Sequence, residues 1–151
     1  MEKTCIWAND KDLAQCVQGT RVVQVDRRSG AVRDADGVRR KFGVEPQLIP
    51  DFLALVGDPQ DGYPGIDGVG RVTAARLLNQ YGEIERFPAS VLGSGRERAL
   101  LFKRLATLRT DAPVFDTVDE LEWKGPTDDL LAWAERMGAT GLVERSRRAV
   151  R

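Results

Sequence analysis

No histidine occurs in the 151 residues. Ser-His and Cys-His catalytic arrangements and imidazole metal ligands are therefore excluded, and any chemistry must run on carboxylates, lysines or an ion held by oxygen. Cysteine is scarce too. Cys5 and Cys16 sit in no metal-binding or redox spacing, which points to reduced thiols in a cytoplasmic protein and to small buried hydrophobes. No apolar run approaches the roughly 20 residues of a membrane helix, and no charged-then-apolar signal segment is present. Net charge is also lacking: 23 Lys and Arg balance 23 Asp and Glu, which argues against a protein that coats nucleic acid indiscriminately. Aromatic residues make up only 7%, and Trp7, Trp123 and Trp133 are expected in the core.

What is present is the balance of a soluble globular chain, 42% apolar and 30% charged, with length for one domain or two small subdomains. Charge is unevenly spread. Arg27, Arg28, Arg33, Arg39, Arg40 and Lys41 outweigh Asp26, Asp34 and Asp36, the segment after Asp111 is acidic, and the chain ends on arginines. Such runs ordinarily mark solvated faces, and a basic one near a phosphate site can also track DNA.

Thr4–Ala8 is β-rich and apolar on both faces, the pattern of an interior strand, and Arg21–Val25 reads as a second strand before a turn and a third. The period then becomes helical. Val38 and Phe42 lie four apart between a cap at Asp34 or Asp36 and a stop at Gly43, and Pro50 opens a helix carrying Phe52, Leu53, Leu55 and Val56. Helices follow over Thr73–Tyr81, Arg96–Leu108 and Asp128–Met137. An inner strand needs neighbours on both edges, and the few strands present are too few to cover one. The chain reads as the second half of something.

Two acidic pairs carry the candidate chemistry. Asp10 and Asp12 follow the first strand, where open α/β sheets place their ligands. Asp58 and Asp61, three apart at the end of the Pro50 helix, share a face if that helical turn continues. Carboxylates suit hard divalent cations, and a magnesium site that keeps several waters reads as scattered Asp residues. Taken singly, each pair also reads as a cap or an Asx-turn.

"GIDGVGRVTAARLL" places small residues where a hairpin between two helices needs them. Gly68 and Gly70 permit a tight turn and close approach, and the following helix start directs free N–H groups outward, a ready phosphate site. Thr73 is a candidate cap or phosphate ligand, and Arg71 adds charge. Such a hairpin holds DNA by its backbone and does not read sequence.

"NDKDLAQ", "IPDFLALVGDPQDGYPGIDGVG" and "TAARLLNQYGEIE", in this order and spacing, resemble bacterial 5′-3′ exonucleases, a family that includes the 5′-nuclease domains of bacterial DNA polymerases and the flap endonucleases. The resemblance implies an α+β, mostly α fold: a partial α/β nuclease-domain remnant over 1–33, a helix-three-turn-helix (helix-hairpin-helix) DNA-binding domain over 34–110, and a C-terminal helical extension over 111–151. It implies Asp10, Asp12, Asp58 and Asp61 as ligands of Mg²⁺ or Mn²⁺. It also implies a DNA-backbone grip by Gly65, Gly68, Val69, Gly70, Arg71 and Thr73, which the basic residues Arg39 and Arg40 supplement. Where the family often has a lysine before that threonine, this chain has Val72. The family's further strands, carboxylates and basic residues lie upstream of the matched region. The function implied is the DNA-binding portion of a metal-dependent 5′-3′ exonuclease of replication and repair, weak or inactive as this chain alone. Alternatives are a non-catalytic DNA-backbone-binding module, or one half of a split nuclease whose partner chain completes the sheet.

Overall fold

A valine-rich strand, β2 (Val22–Val25), forms the centre of a three-stranded sheet in order β1-β2-β3. The computed structural model describes residues 3–149, so the terminal Arg151 of the basic tail lies outside the described residues. β1 (Thr4–Ile6) runs parallel to β2 with Thr4 opposite Val22, and β3 (Val32–Arg33) returns antiparallel through the Asp26–Gly30 turn. The interior strand is thus β2, whose Val23, Gln24 and Val25 are buried, and not β1 as its composition suggests. Among the described residues β1 is an edge strand: Thr4 and Cys5 are exposed, and Trp7 is 62% exposed. Apolar, β-branched composition reports that a strand is suited to cover on both faces, and cannot say which elements supply it. Cys16 is only half-buried, so neither cysteine is the core residue its type suggests.

Helix α1 (Ala35–Phe42) starts where the Asp34 carboxylate accepts the Gly37 amide at 2.8 Å and stops at Gly43, whose positive φ closes the C-terminus. It turns Val38 and Phe42 inward. α2 (Ile49–Val56), with Pro50 in its first turn, is buried on nearly every side, packing on α5 (Arg96–Ala106) and α3 (Arg71–Tyr81). A short α4 (Ala89–Leu92) links the last two. Phe42 meets Phe52 edge-on at 5.8 Å, while Tyr63 stacks on Phe102 at 5.4 Å. Burying each such side chain contributes about 1.5–3 kcal/mol. Ala14 and Val17, from the turn after β1, belong to this same core, so that turn is packed against the helices beside the loops that carry Asp12 and Asp58.

The chain divides into two compact units, Met1–Arg109 and Thr110–Arg151. In the second, Thr127 caps α6 (Asp128–Arg136) by accepting the Leu130 amide, and α7 (Thr140–Arg148) follows Gly138. Ala134 and Val143 are its buried apolar residues, while Trp123 and Trp133 are exposed, contrary to the core position expected of them. With so few apolar partners in this unit, large rings have nothing to be buried against.

Candidate metal centre and nucleic-acid interface

Two loops build the acidic end of the first unit. After β1 the chain turns into a single 3₁₀ turn, Asp12–Cys16, and two glutamines fix its position. The buried Gln24 side chain donates to the Asp10 carbonyl. Gln15 donates to the Asp12 carbonyl at 2.8 Å and to Ala106 at 3.0 Å, and accepts from the Leu108 amide, tying the Asp12 turn to the end of α5. The second loop leaves α2 at Gly57, and the helix does not continue as the spacing of its aspartates suggested. A tight turn forms, in which the Asp58 amide donates to Tyr63 at 2.8 Å and the Asp61 and Tyr63 amides donate back to Asp58. That turn brings Asp58 and Asp61 together.

One ligand oxygen each from Asp12, Asp58 and Asp61 lies within 4.8 Å of the others. Asp10 is not one of the three. It lines the same cleft, of about 540 Å³, but its Oδ1 accepts the Asp12 amide at 3.1 Å. Asp58 is 1% exposed, and its Oδ2, the Asp12 Oδ1 and the Tyr63 hydroxyl are buried without a hydrogen-bond partner. Burial, with the carboxylates of Asp10, Asp61 and Asp58 adding to it, pushes the Asp12 carboxyl up to about 6, and burial beside Asp12, Asp58 and Asp61 raises the Tyr63 hydroxyl. Orphaned carboxylate oxygens are costly to bury, and a hard divalent cation with a water-rich octahedral shell is the species whose demands they meet. The residues present therefore fit such an ion.

The stretch from Gly57 to Gly70 folds back on α2. A Cβ on Gly65 would stand 2.5 Å from the Gly57 nitrogen, and one on Gly57 would stand 2.4 Å from the Pro64 carbonyl oxygen. Close approach thus falls on Gly57 and Gly65, whereas Gly68 and Gly70, expected to provide it, face open space. Gly70, not Thr73, is the cap of α3, and Thr73 is its third residue. Val69 donates its amide to Ile66. Val72 is 84% exposed at the helix start. Arg71 lies over the Phe42 and Phe52 rings at 5.8 and 5.4 Å and, with Lys41, lines the acidic cleft. Of the basic residues expected to meet DNA, Arg39 is ion-paired with Asp36 and with Glu45 at 2.7 Å, while Arg40 is exposed.

The family model described as "5′-3′ exonuclease, C-terminal SAM fold" matches residues 44–129, more than half of the chain. The chain belongs to the 5′-3′ exonuclease family. DNA polymerase I of Pseudomonas aeruginosa is 36% identical over 92% of this chain but only 19% of its own length. A 5′-3′ exonuclease of Aquifex aeolicus is 38% identical over 82% of this chain and 45% of its own length. The bacteriophage T5 D15 flap endonuclease, solved as a pseudo-enzyme-product complex with DNA and metal ions, shares the fold with a TM-score of 0.62. It is 14% identical, over 70% of this chain and 43% of that one. The chain thus spans less than half the length of these family members.

Several residues that shape this acidic cleft carry no sequence signal as such. Gln15 and Gln24 read as ordinary polar residues of a turn and a strand, and only their contacts show that they hold the Asp10–Asp12 loop. Gly57 and Tyr63 stand inside the motif. A glycine directly after an apolar helix was the available cue for Gly57. No helix among the described residues is long and apolar enough to cross a membrane.

Proposed function

We propose that this chain is the DNA-gripping and metal-binding portion of a 5′-3′ exonuclease or flap-type nuclease of DNA replication and repair. Asp12, Asp58 and Asp61, with Asp10 alongside, hold Mg²⁺ or Mn²⁺. The Gly65–Thr73 turn, Arg71 and Lys41 hold backbone phosphates of duplex or branched DNA without regard to sequence. The observation that carries this reading is the pair of buried, partnerless oxygens on Asp12 and Asp58, in one cleft with Arg71 and Lys41.

A bound divalent ion would supply charge neutralisation and an acidified water for phosphodiester hydrolysis. The chain's own residues do the rest. The carboxylates orient the ion, the α3 N-terminus and Arg71 present N–H donors to a phosphate, and Lys41 adds positive charge to the same wall. Three convergent carboxylates are a sparse ligand set for a two-ion hydrolysis, so cleavage by these residues alone is expected to be weak. The test is a salt titration of two unrelated labelled duplexes, with cleavage of a 5′-flap followed in Mg²⁺ beside an Asp58→Ala, Asp61→Ala double variant. Equal affinity for both duplexes and a steep loss with salt support the reading. Strong preference for one sequence contradicts it.

Among the described residues one edge of β1 is unpaired, with Cys5 and Trp7 exposed, which favours a second reading in which a further polypeptide pairs with β1 to complete the nuclease. Native mass spectrometry of the chain with a family N-terminal half distinguishes this from a stand-alone DNA-binding module.

A further inference from the structure

Between the two aspartates of the first loop stands Lys11, and its Nζ lies 2.6 Å from Asp58 Oδ1. This lysine reaches from a partly exposed position into the acidic cluster, against a side chain that is almost wholly buried. One ammonium is a single charge facing three convergent carboxylates. It satisfies one oxygen of Asp58 and leaves Asp58 Oδ2 and Asp12 Oδ1 without partners. The cluster is therefore held together but undercompensated. A divalent ion brings twice the charge and takes oxygen ligands at about 2.0–2.1 Å. Two cations on the one Asp58 carboxylate repel each other, since like charges a few ångströms apart interact strongly in a partly buried cleft, and that repulsion favours the ammonium's departure.

We propose that Lys11 is the counter-cation of the metal-free site: a divalent ion displaces its ammonium from Asp58, and the freed ammonium takes a phosphate of bound DNA. The inference rests on the reading of Asp12, Asp58 and Asp61 as a divalent-ion site. Lys11 lines the cleft that also holds Lys41 and Arg71, so its release adds a third cation to the wall facing a phosphodiester. Ion and DNA binding are thereby coupled through one side chain, each favouring the state in which Lys11 has left Asp58.

A purely structural salt bridge makes the opposite prediction, since deleting it would damage the site. Mn²⁺ titration of the full chain by calorimetry, with free Mn²⁺ followed by electron paramagnetic resonance, separates the two. Lys11→Met is expected to bind Mn²⁺ about tenfold more tightly than wild type, and Lys11→Arg to stay close to wild type. Anisotropy of a labelled blunt duplex should show Mn²⁺ strengthening wild-type binding, with most of that gain lost in Lys11→Met. Should Lys11→Met fail to fold, nitrogen-15 spectra of the wild-type lysine ammonium groups serve instead. A protected Lys11 signal present in chelator and lost on adding Mg²⁺ supports displacement, and a signal that persists overturns it. Unchanged or weaker Mn²⁺ binding by Lys11→Met overturns the proposal while leaving the metal site standing. Absence of Mn²⁺ binding by wild type overturns both.

Discussion

Asp51 and Asp58 lie seven residues apart, the first on α2 and the second just beyond it, and each is 1% exposed, yet they differ in how completely they are partnered. Asp51 accepts the Ile84 amide at 2.9 Å and the Lys103 ammonium at 2.9 Å. Lys103 also meets Glu85 at 2.7 Å and Glu83 at 3.3 Å; burial opposes its charge, but Glu85 and Asp51 outweigh that and raise its pKa. That cluster joins α2 to α5 and is internally satisfied. Asp58 has Lys11 and the Gln60 backbone amide (3.1 Å) on Oδ1, nothing on the buried Oδ2, and two more carboxylates beside it. A buried charge that its own fold satisfies is architecture, and one left short of partners is a request for a ligand.

The contrast can be broken most forcefully at Lys103. Lys103→Met strands Asp51 in the core and is expected to cost about 3–5 kcal/mol of stability in urea unfolding, with Mn²⁺ affinity unchanged in the folded fraction. A loss below 1 kcal/mol would mean the two aspartates are less different than their partners suggest.

The backbone repeats the contrast. Gly65→Ala must push a methyl into the Gly57 backbone at a positive φ and should cost about 2–4 kcal/mol. Gly68→Ala, with open space around it, should cost only the left-handed strain of about 1–2 kcal/mol while weakening duplex binding. Thermal melts and anisotropy on both variants read the two effects separately.

Proton linkage offers a smaller test. The Asp12 carboxyl is raised to about 6 by burial and its acidic neighbours, so in the metal-free protein its folded state holds a proton that the unfolded chain has released. Its contribution is fully present below the ordinary carboxylate pKa and is lost as pH rises through about 6. In chelator, the stability of wild type relative to Asp12→Asn should fall from about pH 4 to 7, and divalent ion should abolish that fall. The smallest effect is expected at Arg71: Arg71→Ala should reduce the salt dependence of duplex binding by about one phosphate contact, equally for all sequences.

Much of this was legible in the residues. Asp34, Gly43 and Pro50 punctuate the helices as local chemistry requires, and the motifs around Asp12 and Asp58 led to the right family and to the three acids that cluster. Local signals could not supply long-range placement. β1 is an edge because of what pairs with it, and Arg39 is neutralised by a glutamate six residues away. Asp58 and Asp61 meet through a turn whose hydrogen bonds run to Tyr63, and not by helical periodicity. Asp51 looked like one more polar residue in an apolar helix, because Lys103, which satisfies it, lies 52 positions further along the chain.

Mn²⁺ binding to wild type, Asp58→Asn and Asp51→Asn, measured side by side by calorimetry, tests most directly that Asp58 and not Asp51 awaits a ligand. Wild type and Asp51→Asn should bind Mn²⁺ alike, with Asp58→Asn weaker by at least about tenfold. Equal binding by Asp58→Asn and wild type would contradict the account.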